Sequence, residues 1–180
     1  MTVGANRLRW RRLFAAWVLV ACLPLAMARQ PSAAPAQPEG NLLVLEATLD
    51  QHVLSDSLVA YQHGDQVFLP LGEVARILTI AIRTDPATGS ASGYVLEESR
   101  GFSLDLAGMV TLNGEARRFA PSLVRVEDDE IYVELGLLQE WLPVNFELDM
   151  STLNLRVRPR ERLPLQQRLE REALAGKAAT

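Results

Sequence analysis

The chain has 180 residues, with 22 acidic and 18 basic side chains and one cysteine. This length is sufficient to bury a sizeable hydrophobic core. The excess of acidic residues repels phosphate backbones, so the composition disfavours nucleic-acid binding.

The first 28 residues have the three parts of an export signal. Four arginines precede an apolar run over 14–25, and Ala26-Met27-Ala28 has the small-residue pattern of a cleavage site. We therefore expect export to the periplasm or cell envelope, with cleavage between Ala28 and Arg29. The apolar run is shorter than the roughly 20 residues of a membrane-spanning helix, which disfavours an uncleaved anchor. Arg11-Arg12 also fits a twin-arginine signal.

Cys22 offers an alternative end to the signal. The run Leu19-Val20-Ala21-Cys22 resembles a lipoprotein processing box, and its use would make Cys22 the lipidated first residue of an outer-membrane lipoprotein. Membrane association is expected only in that case. Cleavage after Ala28 instead leaves no cysteine, which excludes a disulfide, a thiolate metal site and a cysteine nucleophile. The mature chain would then hold 14 bases against 22 acids, a net charge of −8.

Residues 29–40 are rich in proline and alanine and predict an extended linker that buries nothing. Ordered structure is predicted from Asn41 onward. Strands are expected over 43–49, 53–61 and 67–69. Pro70 suits the first position of a short helix, and a hairpin with arms at 80–83 and 94–96 follows it. The apolar stripe of the helix is Leu71, Val74, Ala75 and Leu78.

The second half of the chain has the same order of elements. Asn113-Gly114 is the dipeptide best suited to a two-residue hairpin turn. A strand over 131–133 and a helix over 135–142 follow. Alternating apolar residues then predict two further strands over 144–148 and 153–157.

A constant offset of 64 residues relates the two halves. Residues 65–88 align without a gap to 129–152, and six of the 24 aligned positions are identical. Such regularity predicts one small unit used twice. The predicted fold is therefore α+β, with tandem copies over 41–108 and 109–159, each containing a hairpin, a strand, a short helix and a hairpin. The predicted repeat core is Phe68, Leu71, Val74 and Leu78 in the first copy, and Tyr132, Leu135, Leu138 and Leu142 in the second.

Three short segments and one strand-to-helix step resemble a known family. The segments over 110–114, 131–135 and 141–149, together with Phe68-Leu69-Pro70-Leu71, are similar to the copper amine oxidase N-terminal-like domain. In that family a strand ending in valine-proline-leucine leads into a helix and then a tryptophan-aspartate hairpin. Glu134 stands where the family usually has proline. The resemblance implies a small envelope module, often tandem, that has no catalytic activity and binds no copper.

The arrangement as a whole resembles a second family. An exported, acidic, β-rich region that ends in the charged run 158–172 is similar to the periplasmic N-terminal part of an outer-membrane usher-type protein. No amphipathic barrel strands follow residue 180. This resemblance implies a fragment of such a protein or a free-standing paralogue.

Several residue groups have a chemical and a structural interpretation, and the structural one is favoured for each. The run Gly89-Ser90-Ala91-Ser92-Gly93 has alanine at the centre, where a nucleophile elbow has serine. His52 and His63 have no partner at helical spacing and define no metal site. The acidic run 127–130 lacks the ligand pattern of a calcium loop. Trp141 is expected in the core rather than on a ligand-binding platform.

These patterns favour a non-enzymatic protein without a cofactor, which binds an envelope protein partner or spaces a larger assembly, for example in biogenesis of surface structures. Exposed sheet edges are the expected binding surface. The charged tail, residues 160–180, could also dock on a partner as an amphipathic helix through Leu165 and Leu169, if it packs little against its own domain. The alternative class is a small hydrolase of envelope polymers, which would need two carboxylates about 5 to 10 Å apart in a pocket.

Overall fold

The computed structural model describes residues 40–178, so the predicted signal and most of the linker lie outside the described residues. Within this range the chain is an α+β fold made mostly of strands, with three helices and a 3₁₀ turn. The strands are β1 (Asn41–Leu49), β2 (His52–His63), β3 (Gln66–Pro70), β4 (Ala81–Asp85), β5 (Ser90–Tyr94), β6 (Gly101–Asp105), β7 (Met109–Leu112), β8 (Glu115–Arg118), β9 (Val124–Glu127), β10 (Glu130–Glu134), β11 (Val144–Asp149) and β12 (Asn154–Pro159). The helices are α1 (Leu71–Leu78), α2 (Leu135–Trp141) and α3 (Pro164–Ala178), and the 3₁₀ turn is Pro121–Leu123.

The strands form two sheets, and each sheet takes strands from both halves of the chain. The larger sheet has the order β11-β12-β1-β2-β3-β10-β9, and the smaller has the order β4-β5-β6-β7-β8. Neighbouring strands are antiparallel except β1 and β12, which run parallel. Residues 41–108 and 109–159 are therefore interleaved in the fold.

The hairpins test the turn predictions directly. Asn113 and Gly114 have φ angles of 54° and 82° and join β7 to β8, as predicted for a two-residue turn. The strand predicted over 94–96 is wrong in position, because β5 ends at Tyr94 and Leu96 lies beyond it with a φ of 66°. β6 was not predicted.

The helices α1 and α2 begin 64 residues apart, and different residues precede them. Pro70 was predicted as the first helical residue, but its ψ of 113° is extended, so it ends β3 and α1 begins at Leu71. At the corresponding position before α2, the carboxylate of Glu134 accepts a hydrogen bond from the N–H of Leu137 at 2.9 Å. This bond satisfies one of the N–H groups that a helix start leaves free. A carboxylate thus caps α2 where a proline precedes α1.

One large hydrophobic core collects side chains from both sheets and all three helices. Leu135 is only half-buried at its rim, whereas the other predicted repeat-core residues are buried. Phe68 and Tyr132 are separate from this core and form a smaller cluster with Tyr61. Trp141 is buried edge-on to Phe102 and Phe119, with ring centroids 6.0 and 5.3 Å away.

The first half of α3 belongs to the core. Leu165 and the preceding Leu163 are fully buried, and Leu169 packs half-buried against the same core, whereas residues 170–177 are exposed. The expectation that the tail packs little against its own domain is therefore wrong. Burial of two leucines outweighs the charged composition that suggested a free helix.

Candidate interaction surface

The first half of β1 is paired on one side only. β2 runs antiparallel along the strand from Asn41 to Leu49, whereas β12 pairs with it only over Glu46 to Thr48. The remaining stretch, Asn41 to Leu45, has no strand on the β12 side in the sheet order. We call this stretch the open edge.

The direction of the backbone groups along the open edge follows from one hydrogen bond. The N–H of Glu46 points to the β12 side, where it donates to the carbonyl of Leu153 at 2.9 Å. Alternate residues of a strand direct their backbone groups to the same edge. The N–H and C=O groups of Val44 and Leu42 therefore also point to this side, where they are available to another strand.

Exposed apolar side chains surround the open edge. Leu42 is 58% and Val44 is 48% exposed, both on the sheet face opposite to the core. Val59 is paired directly with Val44, and Leu153 lies beside Glu46. These four account for half of the eight large apolar side chains that residues 40–178 expose. Leu42, Val44 and Val59 share one face of the sheet and form an apolar strip of the kind that marks a binding surface.

The other strands at the ends of the two sheets are better protected against added strands. At β11, the Gln139 side chain accepts from the N–H of Phe146 at 2.7 Å, and Arg160 donates to the carbonyl of Val144 at 3.0 Å. β8 is short and carries Arg117 and Arg118, and β9 is equally short with two charged side chains. Capped backbone groups and charges of this kind discourage strand pairing. β4 packs against α1. The open edge, by contrast, has no charged side chain.

An aromatic cluster lies on the same sheet face, next to the open edge. Tyr61 is paired directly with Leu42 and packs edge-on against Tyr132, with ring centroids 4.9 Å apart. The Tyr61 hydroxyl donates to the Asp128 carboxylate at 2.5 Å, and this bond, with burial, raises the pKa of Tyr61 to about 12. Burial and nearby carboxylates also raise the pKa of Tyr132. The cluster therefore borders the open edge through Tyr61.

Arg125 covers the third aromatic ring of this cluster. Its guanidinium lies 4.3 Å from the centroid of the Phe68 ring, a cation–π arrangement. It donates to Nε2 of His63 at 2.8 Å, so this imidazole nitrogen acts as the acceptor. The Nε atom of Arg125 is buried without a hydrogen-bond partner. These contacts hold His63 on the sheet face, edge-on to Phe68.

The sequence-predicted site residues are not brought together. Ala26, Ala28, Arg29 and Cys22 lie outside the described residues. His52 lies at the start of β2, in a groove of about 390 Å³ that Leu165 and Leu169 also line. The acidic run 127–130 forms the end of β9, a turn and the start of β10, and Ala91 is buried within β5.

Leu165 cannot serve as the predicted docking residue. It is fully buried against the core, and Leu169 is half-buried beside it. The residues that form the open edge were not singled out in the sequence. A signal was present, because Leu42, Leu43, Val44 and Leu45 are consecutive apolar residues. A strand with one solvated face should alternate, so such a run indicates apolar side chains on both faces.

Among residues 40–178, no group of three histidine, cysteine or acidic side chains is placed to hold a metal ion. No helix in this range is both long and apolar enough to cross a membrane. Comparison with protein-family models, with curated proteins and with solved structures found no match. The open edge and its apolar strip are therefore the features on which a functional proposal rests.

Proposed function

We propose that the protein is a non-catalytic, exported envelope module that binds a protein partner by adding a strand of the partner to the open edge. The observation that supports this proposal is the unpaired stretch Asn41 to Leu45 with Leu42 and Val44 exposed beside it. Strand addition is a common mode of peptide recognition, in which backbone hydrogen bonds give affinity and alternate side chains give specificity.

The energetics favour an extended partner with apolar residues. Each added backbone hydrogen bond contributes only about 1 kcal/mol net, so pairing alone discriminates poorly between partners. Burial of apolar surface adds about 25 cal/mol per Å². Leu42, Val44 and Val59 provide that surface on one face, and a partner strand with apolar residues at every second position would cover it.

Export is part of the proposal and rests on the N-terminal sequence. The basic start, the apolar run and Ala26-Met27-Ala28 support cleavage that leaves Arg29 as the first residue. Intact-mass measurement on protein from the envelope fraction tests this, and the expected mass is that of residues 29–180. A mass that corresponds to a lipid-modified Cys22 at the N-terminus would contradict it.

We also propose that the two halves arose from one duplicated unit. Residues 65–88 and 129–152 have the same order of strand, helix, strand and turn. In both turns a threonine N–H donates to the preceding aspartate, Thr88 to Asp85 at 3.3 Å and Thr152 to Asp149 at 3.4 Å. These paired features support the tandem arrangement that the 64-residue offset predicts.

The junction of the two halves gives further support to a duplication. Leu69 of β3 is paired with Val133 of β10, and these two residues are also 64 apart in sequence. The two flanking pairs are Pro70 with Tyr132 and Phe68 with Glu134. The 64-residue offset relates Pro70 to Glu134 and Phe68 to Tyr132, so it converts one pair into the other. This is the pairing expected at an internal two-fold axis. It is compatible with the resemblance to the copper amine oxidase N-terminal-like domain, which implies a tandem module without catalytic activity.

Site-specific photo-crosslinking in cells tests the binding proposal. A photoreactive amino acid in place of Leu42 should crosslink another envelope protein, whereas the same amino acid in place of Val53 should not. Val53 is a matched control because it is 58% exposed, like Leu42, but lies on β2 opposite Thr48, away from the open edge. Equal crosslinking at both positions, or none at Leu42, would contradict the proposal.

A further inference from the structure

We infer that, when no partner is bound, the open edge pairs with the open edge of a second copy of this chain around a two-fold axis at Leu43. This inference deepens the proposed function, since both use the same stretch of β1. Leu42 and Val44 direct four backbone groups to the open side, two N–H and two C=O. A second copy presents the same four groups, so the edge is complementary to itself.

One antiparallel register satisfies all of these groups. With Leu43 opposite Leu43 of the second copy, Leu42 lies opposite Val44 of that copy, and each such pair exchanges two N–H···O bonds. Leu43 directs its own backbone groups toward β2, so it forms the non-hydrogen-bonded pair on the axis. Shifting the register toward Glu46 would fail, because its N–H already donates to Leu153.

The side chains of the open edge also fit a second copy. No residue from Asn41 to Leu45 is charged, so the axis brings no like charges together. On the exposed face, Leu42 of one copy would lie opposite Val44 of the other, and Val59 on β2 would flank Val44 on the side away from the axis. On the core face, the half-buried Leu43 would be covered by its counterpart.

The linker of the same chain does not fit the open edge. Its prolines at 31, 35 and 38 lack the N–H groups that strand pairing requires. In the paired arrangement, Gly40 would lie opposite Glu46 of the second copy. That position is already occupied by Leu153 of the second copy, which accepts the hydrogen bond from Glu46. The chain must therefore turn away directly before Asn41, and a glycine at position 40 permits that turn.

The expected association is weak. Five residues from each copy form the contact, and interfaces below about 1,200 Å² in total are typical of transient complexes. A weak contact of this kind would protect the edge from unrelated strands and would still yield to a partner that buries more surface. Self-pairing and partner binding would exclude each other.

Sedimentation equilibrium of the purified chain at micromolar to near-millimolar concentration tests the inference. The unchanged chain should dimerise at the upper end of this range. Val44→Lys should remain monomeric because two lysines would lie beside the axis, and Val44→Pro should remain monomeric because it removes an N–H from the open side only. Val53→Lys is the matched control and should dimerise like the unchanged chain.

A cysteine at the axis provides a second measurement. Non-hydrogen-bonded antiparallel pairs have Cα atoms about 4.5 Å apart, within the range that a disulfide spans. In a Cys22→Ser background, Leu43→Cys should therefore form a disulfide-linked dimer on oxidation, and Val53→Cys should not. A monomeric chain at every concentration, or dimerisation unaffected by Val44→Lys, would overturn the inference. If crosslinking at Leu42 still captured another protein, the proposed function would stand without the dimer.

Discussion

Gly93 shows how strongly a single position is constrained in this fold. Its φ is 150°, and a Cβ added there would lie 1.9 Å from the carbonyl oxygen of Ala81 on the neighbouring strand β4. Gly101, in β6, has open space around the position of a Cβ. Of these two strand glycines, only Gly93 is sterically required.

Gly93→Ala should lower the free energy of unfolding by about 2 kcal/mol or more, because the methyl group forces β4 and β5 apart. Gly101→Ala, the matched control, should change it little. Urea denaturation of both variants measures the difference. Equal stability of the two variants would show that the close approach of Ala81 does not constrain residue 93.

Tyr61 gives the folded chain a predictable response to alkaline pH. Its pKa rises from 10.0 to about 12 on folding, mainly because its hydroxyl donates to Asp128. A pKa that is raised on folding contributes stability below the pKa of the unfolded chain and loses it as the pH rises through the folded value. The free energy of unfolding should therefore fall between pH 10 and about 12.

Tyr61→Phe should remove that part of the alkaline fall, although it also loses the hydrogen bond at neutral pH. Tyr94→Phe is the control, since Tyr94 ends β5 in the smaller sheet, away from Asp128 on the larger sheet. Denaturation midpoints across the alkaline range measure the effect. An unchanged pH profile in Tyr61→Phe would contradict the role of the Asp128 bond.

At the scale of elements, α3 joins two different environments within one helix. Its start is part of the core through Leu165, whereas Leu174 near its end is 66% exposed. Packing of Leu165 in the core stabilises the start of the helix, since most helical stability in proteins comes from such tertiary contacts. The exposed end is the part of α3 that remains available to other molecules.

Leu165→Ala should lower the free energy of unfolding by about 3 kcal/mol, because it removes buried methyl groups and leaves a cavity. Leu174→Ala, in the same helix, should change it by less than about 0.5 kcal/mol. Thermal and urea unfolding measure both. A negligible effect of Leu165→Ala would show that α3 is only loosely attached.

Local sequence signals predicted local structure well and pairing between distant strands poorly. Asn113-Gly114 specified its hairpin because only a few residues tolerate positive φ at both turn positions. The stripe ending at Leu78 similarly predicted α1. The contact of β1 with β12 had no such signal, since partner choice depends on packing across the whole core. The apolar run Leu42 to Leu45 indicates apolar side chains on both faces, but it does not show that β12 leaves this stretch unpaired.

At the scale of the whole molecule, the two halves depend on each other. β10 and β9 extend the larger sheet from β3, and β12 adds to β1, so removing either half leaves the other with unpaired strands. Both halves also contribute to the same core. Neither segment is therefore expected to hold its structure alone.

Separate production of residues 40–108 and 109–180 should yield two unfolded fragments that regain the fold when mixed. Unpaired strands and a divided core leave each fragment too little buried apolar surface to offset its chain entropy. Far-ultraviolet circular dichroism and amide NMR spectra of the fragments, apart and together, measure this. A cooperative melting transition in either isolated fragment would contradict the expectation.

The parallel pairing of β1 with β12 also determines when this contact can form during folding. Glu46 and Asn154, whose side chains are hydrogen-bonded at 2.9 Å, are 108 residues apart in sequence. A contact of that separation forms late, because loop closure costs entropy before the pairing compensates for it. During synthesis or export, β1 can pair with β2 at once, but β12 follows only near the end of the chain. The interval of greatest vulnerability to mispairing therefore falls while the chain is still incomplete, when all of β1 is unpaired on that side.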